Sequence, residues 1–416
     1  MLIVCPLSIC SVWEEEFLKF ADFQYDLKIL KGSSSKKAET LLSLNGQALQ
    51  VAVVNYESIW RLEKQIRKWN PSMIICDESH KIKSHNIAAS KSLHRLGEKT
   101  MYKLILTGTA ITNKAIDIFS QYKFLDSSIF GKSFYIFRNR YFDMVGFGNH
   151  TPVLKKSMKD ELREKIHSIA FIAKKSECLD LPETTEIIRK IDLEPSAMNT
   201  YKNLVKDSFA ELSKGEITVT NVLTKLLRLS QLTGGFLSDD ENKKVQQIST
   251  AKLSALEDII DSVTSSGKKL VIMARFIPEI EAIRKLLFKK KINFSIITGE
   301  VKKRANQIDN FQHDPNTLVF IGQISTAGLG ITLTASSTMV FFSLDYSMSN
   351  FEQAKARIHR TGQKENCTYI YLLASNTVDE KILTALKNKV NLAENLIDNY
   401  KNGINPYESN GGDLNE

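Results

Sequence analysis

Short apolar segments alternate with helical patterns along the first half of the chain. Each segment is bounded by polar or turn-forming residues. Strands that are buried on both faces of a parallel sheet have this continuous apolar character, and crossover helices lie between them. The segments that predict strands are Leu2–Cys5, Val51–Val54, Met73–Cys76 and Lys103–Leu106.

The same alternation returns after Thr250 and predicts a second α/β domain. A chain of 416 residues is long enough for more than one core, because single domains usually contain about 100–200 residues. The fold class that we expect is therefore α/β, with two parallel-sheet lobes. The strands predicted in the second lobe are Lys269–Met273, Thr317–Ile321, Thr338–Phe342 and Thr368–Leu373.

A helical insertion is predicted between the two lobes. From Ser196 to Leu237 the leucines recur at helical spacing, as at Leu223, Leu226 and Leu229. A polar run follows and is typical of a solvated connector. We place the first lobe at residues 1–190, the insertion and linker at 191–249, the second lobe at 250–395 and a polar tail at 396–416.

Basic residues outnumber acidic ones, which changes the expected partners. Fifty-six Lys and Arg against 47 Asp and Glu leave a formal net charge of +9. Such a surplus attracts a polyanion through counterion release, without sequence preference. Because many basic proteins bind no nucleic acid, the charge by itself is a weak indication of DNA binding.

The apolar segments and the cysteines narrow the class of protein. No apolar run approaches the ~20 residues of a membrane span, and the first residues lack the features of a secretory signal. We therefore expect a soluble protein of the cytoplasm or nucleus. The five cysteines form no C-x-x-C pair, so neither a disulfide framework nor a zinc site is indicated.

Two adjacent carboxylates follow the predicted strand Met73–Cys76. Asp77 and Glu78 stand where the strand emerges at its carboxyl end, which is where open α/β sheets bind ligands. There Asp77 could hold Mg²⁺ through water, and Glu78 could orient and deprotonate an attacking water. An acidic pair that only caps a strand end is the alternative interpretation.

Three further motifs carry candidate chemistry. Leu106–Asn113 is a turn of small and hydroxyl residues whose backbone could approach a ligand closely. Ser325–Gly330 follows a predicted strand, and a helical pattern from Gln353 precedes Thr361-Gly362-Gln363. Arg357 and Arg360 are three residues apart and so share a face of that helix. A solvated basic helix face is the alternative for the two arginines.

These elements, in this order and at these intervals, resemble the Swi/Snf-type DNA-dependent ATPases of helicase superfamily two. The resemblance covers nearly the whole chain. In the first half, Leu2–Pro6 is similar to motif Ia, Val51–Glu57 to the next DNA-side motif, Asp77–His80 to motif II and Leu106–Asn113 to motif III, and Phe171–Pro182 resembles the end of the first lobe. In the second half, Lys269–Phe276 is similar to motif IV, Ser325–Gly330 to motif V, Gln353–Gln363 to motif VI and Thr377–Ile382 to the closing helix.

The resemblance implies that two RecA-like lobes clamp ATP and Mg²⁺ and step along duplex DNA. It assigns Mg²⁺ to Asp77, the attacking water to Glu78, and roles as arginine fingers to Arg357 and Arg360. A permanently charged guanidinium suits the γ-phosphate better than an ammonium group does. The remaining residues that it assigns are Gln363 to catalysis, His80, Gly328 and Gly330 to the nucleotide, and Tyr56, Thr109, Ser325 and Thr326 to the DNA backbone.

The sequence departs from the family pattern in three places. Ser79 replaces the usual Ala or Gly, and Ala110 replaces the usual Pro; both substitutes are small. The segment from Asp345 to Gln353 lacks the usual Trp-Asn-Pro. We expect the two small substitutions to be tolerated, whereas the contacts made near the third departure cannot be carried over from the family.

The most serious departure concerns the family's glycine-rich phosphate-binding loop. That loop would precede Leu2–Pro6, where only Met1 stands. Gly131-Lys132-Ser133 is similar to the end of such a loop, but the position five before Gly131 is Asp126, and the segment is rich in Phe and Tyr. We reject this match and expect the aromatic residues to pack in a helical patch rather than stack on bases.

Two hypotheses follow from the missing loop. In the first, a separate chain or a missing N-terminal segment supplies the loop, and the assembled protein is a DNA-stimulated ATPase. In the second, the protein is a non-catalytic two-lobed DNA clamp. On either hypothesis we expect this chain alone to bind ATP weakly and to hydrolyse almost none, because the loop provides the N–H cradle and the Lys for the phosphates.

Overall fold

The computed structural model describes residues 1–108, 115–145, 151–173, 178–214, 219–238, 245–301, 304–327 and 330–388. The chain divides into two compact units, Met1–Ala173 and Lys174–Glu416. Each unit contains its own parallel sheet, as the apolar pattern predicts. In the described part of the chain, none of the helices has both the length and the hydropathy that crossing a membrane requires.

The first unit has a five-stranded parallel sheet with the strand order β2-β3-β1-β4-β5. All four strands predicted for this lobe are confirmed. A further strand, β2, was missed because its sequence, Tyr-Asp-Leu-Lys-Ile, alternates polar and apolar residues at the sheet edge. The strands are β1 Leu2–Cys5, β2 Tyr25–Ile29, β3 Leu49–Asn55, β4 Met73–Asp77 and β5 Tyr102–Leu106. The helices that accompany them are α1 Cys10–Phe20, α2 Ser34–Leu42, α3 Tyr56–Trp69 and α4 Ala88–Gly97.

One face of this sheet carries most of its core. Alternate strand residues such as Val4, Val54 and Cys76 are buried there against apolar residues of α2, α3 and α4. On the other face, α1 contacts β2 and β3. The two layers hold the carboxyl ends of the central strands at one edge, where the acidic turn after β4 lies.

A small helical subdomain completes the first unit. Its elements are α5 Ile118–Leu125, α6 Ser127–Phe130, α7 Phe134–Tyr141, β6 Phe142–Val145, β7 Thr151–Leu154 and α8 Lys159–His167. Phe137, Tyr141 and Phe142 are buried in an aromatic cluster with Phe119 and Phe130, as predicted, whereas Tyr135 is 63% exposed. The rejected match Gly131-Lys132-Ser133 joins α6 to α7, and Ser133 caps α7 by accepting from the amide of Ile136. It does not follow a strand.

The second unit has a six-stranded parallel sheet with the strand order β12-β13-β11-β14-β15-β8. The four strands predicted for this lobe are confirmed, whereas β8 and β12, the two outer strands, were not predicted. The strands of the unit are β8 Thr184–Ile191, β9 Phe236–Ser238, β10 Val245–Gln247, β11 Leu270–Ala274, β12 Asn293–Ile297, β13 Thr317–Gln323, β14 Thr338–Phe341 and β15 Cys367–Ala374. Its helices are α9 Pro195–Lys214, α10 Val219–Thr233, α11 Ala251–Ser265, α12 Ile277–Lys289, α13 Arg304–His313, α14 Ile324–Ala327, α15 Met348–Lys355 and α16 Val378–Lys387.

Strand β8 and the helices after it differ from the predicted domain boundaries. Strand β8, which we assigned to the first lobe, pairs along its length with β15 in the second sheet. The helices that we assigned to an insertion cover one face of that sheet, with Leu226 and Leu229 in the same buried cluster as Val271 and Met273. Their leucine stripe needs an apolar partner, and the second sheet provides it.

A buried ion pair ties the helices of the second unit to its sheet. The ammonium of Lys252 in α11 contacts Asp379 Oδ2 in α16 at 2.5 Å, and both side chains are almost fully buried. Asp379 also accepts hydrogen bonds from Thr233 Oγ1 at 2.8 Å and from the amide of Ala374 at 3.0 Å. The acidic residue of the closing-helix motif Thr377–Ile382 therefore joins α10, α11, β15 and α16.

Candidate functional site

The two carboxylates lie at the carboxyl end of β4, as the sequence predicts. Asp77 is the last residue of the strand, and Glu78 follows it in a left-handed backbone conformation with φ 53°. A non-glycine residue in this region costs about 1 kcal/mol. The turn directs the chain from the strand into a short 3-10 helix, Ser79–Ile82, and sets the two acidic side chains side by side.

Two hydrogen bonds hold the Asp77 carboxylate in place. The indole Nε1 of Trp13 donates to Oδ2 at 3.2 Å, and the amide of Glu78 donates to Oδ1 at 2.9 Å. Burial raises the pKa of Asp77, and the nearby charge of Glu78 raises it further, while the indole bond opposes both effects. A cation at this carboxylate would relieve the electrostatic cost of its burial.

Tyr56 contacts the main chain of the acidic turn. Its ring is 4% exposed, and its hydroxyl donates to the main-chain carbonyl of Asp77 at 2.7 Å. We had assigned Tyr56 to the DNA backbone, but the hydroxyl is engaged within the unit and the ring is buried. The structure therefore places Tyr56 where it positions Asp77.

The residues after Glu78 are also fixed by contacts. His80 Nδ1 lies 3.2 Å from Glu78 Oε2, so this histidine, which we assigned to the nucleotide, lies against the candidate catalytic carboxylate. Ser79, one of the departures from the family pattern, is fully buried. Its hydroxyl donates to Oε1 of Gln121 in α5 at 2.7 Å, and the substitution is tolerated because Gln121 satisfies it.

A single carboxylate at this edge fits a magnesium ion bound together with phosphates. Mg²⁺ in nucleotide sites keeps several waters and takes one or two protein carboxylates plus substrate phosphates. Asp77 is half-buried, and Trp13 orients its carboxylate. Burial raises the pKa of this carboxylate. Among the described residues no cluster of three His, Cys, Asp or Glu could form a protein-only metal cage, and a nucleotide-bound Mg²⁺ does not require one.

The two candidate arginine fingers lie in a turn rather than on a helix. Helix α15 ends at Lys355, and residues 356–358 form a turn, so the shared helix face that we predicted does not extend to Arg360. The two guanidinium groups nevertheless converge, because Nη1 of Arg357 and Nη1 of Arg360 donate to the carbonyl of Ile331 at 3.1 and 3.2 Å. Tertiary contacts, not helical spacing, bring them together.

Hydrogen bonds connect the turn that carries Arg357 and Arg360 to the segment after Gly330. The amide of Leu333 donates to the carbonyl of Arg357 at 2.9 Å, and Nε of Arg357 donates to the carbonyl of Gln353 at 2.7 Å. Gly330 has a φ of 67°, a region that favours glycine. Gly330 therefore supports the loop that receives the two guanidinium groups.

Gln363 organises the backbone beyond the arginines. Its Nε2 donates to the carbonyls of Ser336 at 2.9 Å and Ile358 at 3.0 Å. Its Oε1 accepts from the amides of Lys364 and Glu365. We expected a catalytic role from the resemblance, whereas these contacts give Gln363 a positioning role within the second unit.

The candidate DNA residues of the second unit lie at the carboxyl end of β13. Ser325 is exposed and Thr326 is half-buried in the short helix α14. Thr326 Oγ1 donates to Oε1 of Gln323 at 3.4 Å, and the same oxygen accepts from the amide of Gly299 at 3.2 Å. Thr109, Ala110 and Gly328, also named from the sequence, lie outside the described residues.

Several site residues were missed in the sequence. Trp13 and Gln121 contact the acidic turn, and Gln323 supports the turn after β13. In the second unit the guanidinium of Arg275 lies 3.7 Å above the ring of Tyr346. A polar residue at the end of a strand, or directly after it, was an available signal for Gln323 and Arg275, but nothing local indicated Trp13 or Gln121.

Comparison with known proteins gives a consistent family. The profile of the SNF2-related domain matches residues 1–234, and that of the helicase conserved C-terminal domain matches residues 251–362. Among curated proteins, the DNA repair and recombination protein RAD54-like of Drosophila persimilis is 26% identical over 96% of this chain and 56% of its own length. The RAD54-like protein of Gallus gallus is 26% identical over 95% and 59%, and the DNA repair and recombination protein RDH54 of Saccharomyces cerevisiae (strain JAY291) is 24% identical over 95% and 46%.

The chain thus spans about half the length of the curated relatives that it matches.

Two solved structures are also similar to this chain. The Sulfolobus solfataricus SWI2/SNF2 ATPase core in complex with dsDNA is 25% identical, with a TM-score of 0.42 over 97% of this chain and 82% of that one. The C-terminal part of the Fun30 ATPase domain is 16% identical, with a TM-score of 0.44 over 54% of this chain and 100% of that one.

Proposed function

This chain belongs to the SNF2-related family, and we propose on that premise that it hydrolyses ATP with Mg²⁺ to move along double-stranded DNA. The observation that carries the proposal is the acidic turn at the end of β4. It combines a held carboxylate, Asp77, with a second carboxylate, Glu78, in a strained turn. Strain of this kind often marks functional sites.

In the proposed reaction each polar group has one task. Asp77 would hold the Mg²⁺ that accompanies the nucleotide, and the ion would supply positive charge beside the phosphates. Glu78 orients the attacking water and takes up its proton, since it lies beside Asp77 in the turn. His80, in contact with Glu78, positions that carboxylate.

Arg357 and Arg360 are proposed to stabilise charge that develops on the γ-phosphate. Their guanidinium groups converge on the Ile331 carbonyl. Two fixed positive charges aimed at one place suit an anionic transition state, and preorganised groups of this kind commonly contribute ~10²–10³ in rate each. The contacts of Gln363 and Gly330 support the loop from which they act.

DNA binding is proposed for the turn after β13 and for Thr109. The exposed Ser325 and the half-buried Thr326 carry hydroxyl groups that can donate to backbone phosphates. The net charge of +9 supports a polyanionic partner. Because phosphate contacts dominate such binding, we propose little sequence preference.

A glycine-rich phosphate-binding loop is not found in this sequence, and we propose that a loop-bearing strand adds to the sheet beside β5. In the described sheet β5 is an outer strand. Tyr102, Leu104 and Leu106 alternate along it, share one face and are exposed by 56%, 39% and 36%. Exposed apolar residues on an outer strand favour strand addition, and a parallel strand there would end at the same edge of the sheet as Asp77 and Glu78, with β5 between them.

DNA-stimulated phosphate release is the test of this proposed function. We would compare the 416-residue chain with a form in which a strand and glycine-rich loop are joined ahead of Leu2. We expect activity in the joined form only, lost in Glu78→Gln and kept in the matched control Glu98→Gln, which changes an exposed residue directly after α4.

The other outcomes are also informative. Activity of the chain alone that Glu78→Gln abolishes would place phosphate binding in residues that we did not recognise. A joined form that binds duplex DNA without hydrolysing ATP would favour the non-catalytic clamp.

A further inference from the structure

Two cysteines lie in contact where β1 leads into α1. Cys5 is the last residue of the strand and Cys10 the first of the helix. Their Sγ atoms are 3.5 Å apart, and both side chains are buried. The remaining cysteines, Cys76, Cys178 and Cys367, stand far away in the sequence. The contact therefore belongs to the short connection between β1 and α1.

A short segment connects the two cysteines. Residues Leu7–Ile9 form a single 3-10 turn, and Leu7 is 70% exposed. Both sulfurs are buried, so we expect that this turn must open slightly before a small oxidant reaches them. A disulfide needs an S–S distance of about 2.05 Å, which the present separation of 3.5 Å approaches to within roughly 1.5 Å.

The surroundings distinguish the two sulfurs. The Cys5 thiol donates to Cys10 Sγ, which lowers the pKa of Cys10, and the ammonium of Lys37 lowers it further against the opposing effect of burial. Lys37 is itself held in place, because it donates to Asn55 Oδ1 at 2.9 Å and to Ser58 Oγ at 2.6 Å. The same hydrogen bond and burial raise the pKa of Cys5.

We propose that Cys5 and Cys10 are an oxidation site that closes reversibly to a disulfide. With hydrogen peroxide as the oxidant, the Cys10 thiolate attacks one oxygen and becomes a sulfenic acid, releasing water after protonation. The Cys5 sulfur then attacks the sulfenic sulfur, and the second water leaves as the S–S bond forms. Two thiols lose two electrons, the peroxide is reduced to two waters, and a dithiol reductant reverses the change.

The disulfide would act on the candidate magnesium residue through α1. Trp13 lies one turn beyond Cys10 in α1, and its indole N–H holds Asp77 Oδ2. Drawing the first turn of α1 toward β1 displaces that indole and weakens its hydrogen bond. This consequence rests on the proposed function, whereas formation of the disulfide does not.

Peptide mapping tests the disulfide itself. Trypsin leaves residues 1–19 as one peptide, since Lys19 is the first basic residue, so a closed pair stays in a single fragment. After brief peroxide treatment of the full chain and alkylation, we expect this peptide to lose two hydrogen atoms and to take no alkyl group. Dithiothreitol should restore both alkylation sites.

Matched variants separate this site from general thiol oxidation. Cys10→Ser and Cys5→Ser should each abolish formation of the disulfide. Using both variants guards against misfolding of either one. Cys178→Ser, which removes an exposed thiol, should leave it intact. Independent overoxidation of Cys5 and Cys10, or disulfide-linked dimers that Cys178→Ser removes, would overturn the proposal.

Tryptophan fluorescence tests the coupling to Asp77 without any need for hydrolysis. The chain has three tryptophans, and we expect peroxide to shift the emission of the parent chain but not of Trp13→Phe. A disulfide formed with no change in Trp13 emission would refute the coupling. If the joined form described above proves inactive, the mapping and the fluorescence results still stand, so the two proposals fail separately.

Discussion

The indole Nε1 of Trp13 donates a hydrogen bond to Oδ2 of Asp77 at 3.2 Å. The bond joins two residues that are 64 positions apart in the chain, one in the first helix and one at the end of β4. It favours the charged form of a carboxylate whose pKa burial raises. Trp13 therefore orients the candidate magnesium residue and opposes the rise in its pKa.

Replacing Trp13 by Phe should weaken magnesium binding, most strongly at acidic pH. Without the indole N–H the pKa of Asp77 rises further, so the carboxylate is protonated up to a higher pH. A hydrogen bond to a charged group contributes about 1.5 kcal/mol, and we expect the Mg²⁺ concentration for half-maximal hydrolysis to rise roughly tenfold. A magnesium titration of the joined form at mildly acidic and mildly alkaline pH measures this. Trp60→Phe, at a half-exposed position in α3, should change neither value.

Glu279 should make the stability of the chain depend on pH in the neutral range. The side chain is fully buried, and burial raises its pKa from 4.5 to about 7 despite hydrogen bonds from Ser343 Oγ and the amides of Arg275 and Phe276. Because the folded pKa is the higher one, its contribution is full below pH 4.5 and is lost as pH rises to about 7. That loss is about 3 kcal/mol.

Glu279→Gln should remove this pH dependence. Denaturant unfolding of the variant and of the parent chain below pH 4.5 and above pH 7 gives the comparison. Glu281→Gln, at a half-buried position of the same helix where the carboxylate pairs with Arg284, is the control and should follow the parent chain. Parallel curves for Glu279→Gln and the parent chain would show that folding does not shift the pKa of this carboxyl group.

Breaking the buried pair between Lys252 and Asp379 should destabilise the second unit strongly. In Asp379→Ala the ammonium of Lys252 loses its partner while almost fully buried, and such a change typically costs about 3–5 kcal/mol. The double variant Lys252→Met with Asp379→Leu should recover part of this loss, because it leaves no unpaired charge. Chemical denaturation measures both, with Lys268→Ala of the exposed Lys268–Glu365 pair as a control expected within about 0.5 kcal/mol of the parent.

Arg360→Lys should reduce hydrolysis while leaving the fold intact. Lysine keeps the charge but loses the planar fork that can serve the Ile331 carbonyl and a phosphate together. We expect the rate of DNA-stimulated hydrolysis by the joined form to fall ~10²-fold with little change in melting temperature. Lys364→Arg, at an exposed position four residues after Arg360, is the control. An unchanged rate would remove Arg360 from the proposed catalytic group.

A charge of the opposite sign at Ser325 should weaken binding to duplex DNA. Ser325 is exposed beside the carboxyl end of β13, so Ser325→Glu brings a carboxylate toward the proposed phosphate. We expect the affinity of the parent chain to fall steeply with salt and that of the variant to be lower by roughly tenfold at low salt. Fluorescence anisotropy measures both. Equal losses in Ser325→Glu and in Ser265→Glu, at an exposed end of α11, would point to net charge rather than a local contact.

Most of the predicted strands are covered by neighbouring strands on both sides; β5 is an outer strand, and it was found because Lys103–Leu106 is still mainly apolar. All eight predicted apolar segments form strands, whereas in the two parallel sheets β2, β8 and β12 were missed, and each of these is an outer strand. An outer strand is covered less, so its sequence keeps polar residues and loses the continuous signal. We assigned β8 to the first lobe for the same reason, because nothing in the sequence of Thr184–Ile191 indicates that this strand pairs with β15.

The sequence predicted the acidic turn, but it did not predict which residues contact that turn. Asp77 and Glu78 follow an apolar strand directly, and local order alone puts them at the carboxyl edge of a sheet. Trp13, Tyr56 and Gln121 reach that turn from other elements. Tyr56, which we assigned to the DNA backbone, is buried and donates to the carbonyl of Asp77, a contact that only the fold reveals.

Local periodicity determined the two α/β units, most of their strands, and the chemical identity of the candidate site, because apolar burial and strand ends are properties of short segments. Contacts between distant segments decided the rest. The convergence of Arg357 and Arg360 on Ile331, the raised pKa of Glu279 and the meeting of Cys5 with Cys10 depend on how the chain turns and on what covers each group. Burial and hydrogen-bond partners exist only after packing, so the tertiary structure alone decides them.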